Sequence, residues 1–189
     1  MDTTNIVLCG LGGQGILFMT RVLAQAALNK GFNIMGAETH GMAQRGGSVV
    51  SHLRLGGVHG SLVRTNSAHL LLALEENEAY RNLPFLAQEA KMYVNTNASD
   101  FPREEVKNFL AKRKILYRSV PAATIAQELE APMSSNLALL GYFSAFGQGP
   151  VSHEDLRITI EDVSPERFRD KNLEVFGTGF EWGMKEKGA

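Results

Sequence analysis

Three glycines, Gly10-x-Gly12-x-x-Gly15, stand between a short apolar run and a helical one. In that setting the residue types point to anion binding. Gly10 permits a tight turn, Gly12 removes the Cβ that would hold a ligand off the backbone, and Gly15 lets the helix lie close to the strand. Free N–H groups at the helix start and the helix dipole then favour a phosphate. The candidate cofactor-binding set is Gly10, Gly12, Gly13, Gln14 and Gly15. Glu38 follows Gly15 by 23 residues, where the ribose-binding acid of a dinucleotide site would stand. The same pattern also arises in a turn that needs glycine only for packing.

A second loop, His40-Gly41-Met42-Ala43-Gln44-Arg45-Gly46-Gly47-Ser48, follows the second predicted strand. It should share a sheet edge with the first glycine turn, where open α/β sheets bind ligands. Arg45 beside two glycines can present a fixed cation to a carboxylate or phosphate, with loop N–H groups assisting. His40, Gln44, Arg45, Gly46, Gly47 and Ser48 form the second candidate set. The plainer alternative is a surface loop with a solvated arginine.

Other groups carry less. His40, His52 and His59 match no metal-ligand spacing and have no supporting Cys or Asp, so no metal site is assigned. Cys9 ends a strand and reads as a small buried apolar residue. Ser48 and Ser51 lack the Gly-x-Ser-x-Gly elbow of a serine hydrolase. Glu75-Glu76 and Glu104-Glu105 are adjacent on helix starts, so they do not face each other as a catalytic pair. No Gly-x₄-Gly-Lys-Ser/Thr loop occurs, and no aspartate adjoins a glycine, which excludes a Gly-Asp-Gly thiamine diphosphate motif. No catalytic residue is assigned.

The elements that must position these loops read as alternating strands and helices. Strands are expected at 5–9, 32–38, 48–55, 68–74, 91–95 and 115–119. The first two, with the helix from Ile16 to Gly31, form one βαβ unit. Gly56-Gly57 is a tight turn, from which Val58–Val63 returns as a hairpin partner of the strand at 48–55. Helices are expected at 75–83, 103–112, 122–128, 136–146, 153–160 and 165–182, with a frayed tail from Lys185 to Ala189. The fold class is α/β: a three-layer Rossmann-like domain with a mainly parallel sheet, one hairpin excursion and a helical C-terminal part. No linker or repeat divides the chain, so residues 1–189 read as a single domain.

Composition narrows the classes. The 189 residues are 44% hydrophobic and carry a formal charge of −1, without the basic excess that nucleic-acid binding needs. The densest apolar run, Leu70 to Leu74, is far shorter than a bilayer span of about 20 residues. No signal peptide is evident at Met1-Asp2-Thr3-Thr4, and a cytoplasmic location is expected. One cysteine cannot supply a disulfide or a thiolate-ligated iron–sulfur cluster. Of 19 glycines, twelve lie in residues 1–60 and seven after residue 140, so backbone geometry is demanded in particular places.

The two glycine motifs together are more specific than either alone. Gly10-Leu11-Gly12-Gly13-Gln14-Gly15 and His40 through His52 resemble the gamma subunit or domain of 2-oxoacid:ferredoxin (acceptor) oxidoreductases, with the small subunit of the indolepyruvate enzymes the nearest variant. Asn172-Leu173-Glu174-Val175-Phe176-Gly177-Thr178-Gly179-Phe180 resembles that family's C-terminal helix. The resemblance implies oxidative decarboxylation of a 2-oxoacid (indolepyruvate, pyruvate or similar) to an acyl-CoA, with electrons passed to ferredoxin. It implies that thiamine diphosphate, Mg and the iron–sulfur clusters sit on partner subunits, and that the chain is inactive alone. It also implies that the glycine turn and the Arg45 loop, with His40, Gln44, Arg45, Gly46, Gly47 and Ser48, face the cleft shared with those partners and touch the acyl acceptor, coenzyme A. The isolated chain, its docking face uncovered, is open to homodimer formation. The alternative is a free-standing NAD(P)-binding oxidoreductase built on Gly10, Gly12, Gly15 and Glu38. A third reading is an anion-binding regulatory module.

Overall fold

The structure is a computed structural model and describes residues 3–40 and 46–188. Its sheet has six strands: β1 (Thr4–Leu11), β2 (Ile34–His40), β3 (Ser48–Leu55), β4 (Ala68–Ala73), β5 (Leu86–Asn95) and β6 (Leu116–Val120). Among the described residues there are seven α-helices: α1 (Ile16–Asn29), α2 (Glu76–Asn82), α3 (Glu104–Lys112), α4 (Ala122–Glu128), α5 (Ser135–Ser144), α6 (His153–Val163) and α7 (Glu166–Gly188). The spatial order is β2-β3-β1-β4-β5-β6. β1, β4, β5 and β6 run parallel, while β3 is antiparallel to both its neighbours.

Alternation along β1 divides the core. Ile6 and Leu8 face a cluster built with α1, α4, α5, α6 and α7; Val7 and Cys9 face a smaller one with α2 and α3. These are the two outer layers of the α/β sandwich expected from the sequence.

Three expectations need correction. β1 and β2 are not neighbours, because β3 inserts between them and pairs Leu11 with Ser48 and His40 with Val49. The antiparallel excursion is therefore the β2–β3 pair. Val58–Val63 forms no strand, since both edges of β3 are already occupied. The C-terminal tail is not frayed: α7 is helical through Gly188, its last turn anchored by Arg118 and the Tyr142 hydroxyl on Glu186 and by Lys187 Nζ donating to the Ala145 carbonyl at 3.3 Å.

The later glycines have a packing purpose. Every residue of α5 is buried, and the helix lies directly on α7. A Cβ on Gly141 would stand 2.0 Å from the Phe176 carbonyl oxygen, and one on Gly179 2.1 Å from that of Ala138. The two backbones touch because neither carries a side chain there.

α6 begins with a capping box, Ser152 accepting from the Asp155 N–H at 3.2 Å while Asp155 accepts from the Ser152 N–H at 2.7 Å. His153 then packs its ring 3.8 Å from that of Phe180, with Nδ1 2.9 Å from the Ser144 hydroxyl. Burial lowers the affinity of His153 and of His52 for a proton, below the ordinary value of 6.5. Both are more readily protonated in the unfolded chain, so their contribution is whole above pH 6.5 and is lost as pH falls below it. Asp155, held down to about 2 by Lys30 and Ser152, loses its contribution only below the ordinary 3.8. Thermal midpoints should therefore fall between pH 7 and pH 5, and His153→Phe, which keeps the ring stacking, should flatten that slope. An unchanged slope in the variant would assign the acid sensitivity elsewhere.

Candidate functional site

The parallel strands end on one edge, at Leu11, Ala73, Asn95 and Val120, and β3 begins there at Ser48. The chain departs from β1 toward β2 on one side and returns to β4 on the other. The crevice between β1 and β4 is thus the topological switch point, where open α/β sheets take ligands. The first glycine loop lies on this edge, as do Gly46 and Gly47 of the second.

The first loop is built differently from the expectation. Gly10 belongs to β1 rather than to the turn; a Cβ there would stand 2.6 Å from Gln14 Oε1 and 3.1 Å from Leu74 Cβ. Gln14 closes the loop on itself, its Oε1 accepting from the Leu11 N–H at 2.7 Å. The Gly12 N–H donates to the Gly47 carbonyl at 2.8 Å and ties the two glycine loops together. Gly15 is left-handed at φ 79° and packs against α5 rather than β1: a Cβ would stand 2.5 Å from Asn136 Nδ2, which itself donates to the Gly15 carbonyl at 3.0 Å. Gly46, Gly47 and Ser48 are placed beside this loop. Gln44, Arg45 and the side chain of His40 lie outside the described residues.

α1 therefore starts without a side-chain cap and without an acid in its first turn. Its first N–H groups lack helical acceptors, the arrangement that receives an anion. Beside them opens a cavity of about 440 Å³ between α1 and the starts of α5 and α7. Phe18, Pro132, Met133, Leu137 and Phe168 make its walls mainly apolar; Ser134, Asn136, Lys171, Asn172 and one acid, Glu130, supply polar groups. Asn172, buried, accepts from the Ser134 hydroxyl at 3.1 Å and donates to the Ser164 hydroxyl at 3.0 Å, which fixes the start of α7 against this wall. A dipole-backed N-terminus beside an apolar cavity suits an anionic head with an apolar arm.

A buried carboxylate supports the other side. Glu78 on α2 is 2% exposed and accepts from the Ser48 hydroxyl at 2.6 Å and from Arg81 Nη1 at 2.8 Å. It lies near Cys9, whose thiol is pushed up by burial first and by the Glu78 charge second. Cys9 is thus a neutral core group, unsuited to cluster ligation or nucleophilic attack. Farther along the edge, Glu76 accepts from the Thr96 hydroxyl at 2.7 Å and from Tyr80 at 3.0 Å, and pairs with Arg103 at 3.5 Å. Asn136, Glu78 and the Asn172 contacts were not singled out as site groups from the sequence. The one available signal is their spacing, which sets polar residues at core-facing helical positions, as with Glu78 beside Ala79 and Asn82.

The model of the family described as pyruvate ferredoxin/flavodoxin oxidoreductase matches residues 5–182. The chain belongs to this family. The indolepyruvate oxidoreductase subunit IorB of Methanothermobacter thermautotrophicus is 37% identical over 187 residues, covering 93% of this chain and 95% of the relative. The gamma subunit of a keto/oxoacid ferredoxin oxidoreductase from Geobacter sulfurreducens PCA superposes with a TM-score of 0.75 at 21% identity, covering 96% of this chain and 99% of the other. A 2-oxoglutarate:ferredoxin oxidoreductase from Magnetococcus marinus, solved with 2-oxoglutarate, coenzyme A and succinyl-CoA bound, superposes with a TM-score of 0.78 at 19% identity, covering 98% of this chain and 32% of that one.

This oxidoreductase-subunit membership leaves the free-standing nicotinamide reading unsupported, and the sheet order gives the reason. With β3 inserted, Glu38 on β2 stands two strand spacings from β1, roughly 10 Å, instead of beside the glycine turn. Among the described residues no three His, Cys, Asp or Glu side chains come together as a metal site, and no helix is long and apolar enough to cross a membrane.

Proposed function

We propose that residues 1–189 act as one gamma-type domain, the small subunit of a cytoplasmic indolepyruvate-type oxidoreductase that converts a 2-oxoacid to its acyl-CoA and delivers the electrons to ferredoxin. The observation that carries this reading is the 37% identity to an indolepyruvate oxidoreductase subunit along nearly the whole of both chains. The lone buried cysteine does not fit an iron–sulfur cluster, and the described residues hold no acidic set that fits a magnesium-bound diphosphate. Thiamine diphosphate and the clusters would accordingly sit on partner subunits.

This chain's own part is to receive the acyl acceptor. The N–H groups at the start of α1, framed by Gly13 and Gly15, fit a phosphate of coenzyme A, and the apolar cavity beside them fits an extended arm. The Arg45 loop, tied to the first through Gly12 and Gly47, would supply the cation facing the partner cleft.

Reconstitution tests this reading. The chain alone should show no 2-oxoacid oxidation, and indolepyruvate-dependent ferredoxin reduction should appear on adding the thiamine-bearing partner. Arg45→Ala should raise the KM for coenzyme A in that complex without changing the fold. Full activity of the chain alone, or an unchanged KM in the variant, would remove the corresponding part of the reading.

A further inference from the structure

We propose a second anion site, for a phosphate-bearing small molecule, on the sheet edge opposite the glycine loops. It does not depend on the function proposed above. After β3 the chain makes an irregular excursion over residues 56–67 before β4 begins. At twelve residues it is longer than the usual connection of about 4–6 residues. The excursion borders an open cavity of about 740 Å³ together with β1 and β3. Arg54, His59, Ser61 and Arg64 line it, and none of its lining residues is acidic.

Arg54 is the anchor. Its Nε donates to Asn5 Oδ1 at 2.9 Å and its Nη1 to the Gly60 carbonyl at 2.7 Å. Asn5 Nδ2 donates in turn to the Ser67 carbonyl at 2.9 Å, so both ends of the loop are pinned. The guanidinium is fixed and half-buried, yet both its acceptors are neutral, and three of its five N–H groups have no acceptor among the described residues. Arg64, whose carbonyl accepts from the Ser67 hydroxyl at 2.7 Å, makes no ion pair among the described residues. Arg54, half-buried, and Arg64, exposed, line one cavity that holds no carboxylate, a setting that favours an anion. A planar guanidinium held at two points and open along its remaining edge matches phosphate oxygens. The cavity leaves room beyond a bare phosphate for the further group of a phosphate ester or anhydride.

The experiment is calorimetric titration of the full chain with inorganic pyrophosphate, in phosphate-free buffer at about 0.15 M salt. Saturable binding is expected, weakened roughly tenfold or more by Arg64→Gln, whose side chain holds nothing else in place. Arg54→Lys should weaken it too, since an ammonium cannot present the fork. No saturable binding by the wild type overturns the proposal. So does equal binding by Arg64→Gln, which would put the anion elsewhere, at the start of α1 for instance. Tighter binding of a hexaglutamate peptide than of pyrophosphate would also overturn it, by making the face a protein contact.

Discussion

Gly179→Ala is expected to lower the thermal midpoint by on the order of 10 °C, while Gly177→Ala on the same helix raises it by a few degrees. Intrinsic propensity treats the two alike, since alanine is favoured over glycine in a helix interior by about 1 kcal/mol. Their surroundings differ. A Cβ at Gly177 meets nothing within 4 Å, so the propensity gain stands alone. A Cβ at Gly179 would lie 2.1 Å from the Ala138 carbonyl oxygen and 2.8 Å from its carbon. These are backbone atoms of a wholly buried helix, and they cannot swing aside as a side chain would. α7 must retreat from α5 along the contact that Gly141 shares. Overpacking of this kind costs about 1–3 kcal/mol and occasionally more. Here it also opens the contacts around Val175 and Phe176 in the main core, so a net loss of roughly 3 kcal/mol is expected. At about 2–4 °C per kcal/mol for a chain of this size, that gives the stated shift. Equal shifts of the same sign in the two variants would mean that α5 and α7 are not in backbone contact.

The same pair of helices shows what the sequence hides. Local pattern located nearly every element: β3 and α4 coincide with the expected ranges, and the other elements differ mainly at their ends. Local pattern cannot report which strand lies beside which. β3 entered between β1 and β2 although the Gly10–Gly15 motif and the following strand read as an uninterrupted βαβ unit. That insertion moved Glu38 away from the glycine turn and left Val58–Val63 without an edge to join. The glycine excess was legible as a demand for close approach, but its partners were not. Gly15 needs its space because of Asn136, more than a hundred residues away, and Gly10 because of Gln14 and Leu74. Asn136 and Leu74 are brought there by tertiary packing, which no spacing rule within a loop contains.

Glu78→Ala should raise the KM for the acyl acceptor on the order of tenfold in the assembled enzyme, with kcat little changed. The effect arises from the position of this carboxylate rather than from contact with a ligand. Its acceptor oxygens hold the Ser48 hydroxyl and Arg81, and Ser48 follows Gly47, whose carbonyl receives the Gly12 N–H. One buried side chain thus fixes α2, the root of the Arg45 loop and the glycine turn in a single register. Removing it takes the acceptor from the half-buried Ser48 hydroxyl, a hydrogen bond worth about 0.5–1.5 kcal/mol of stability. Arg81, largely exposed, turns to water at little cost. In the function proposed above, the second loop freed from Ser48 would no longer hold Arg45 toward the acyl acceptor, and a tenfold loss of affinity needs only about 1.4 kcal/mol. Glu78→Gln discriminates between mooring and charge. Its amide oxygen can still accept from Ser48, while its NH₂ opposes Arg81, so the KM should lie between wild type and Glu78→Ala. A fall in stability with an unchanged KM in both variants would reduce Glu78 to a core strut and detach it from the site.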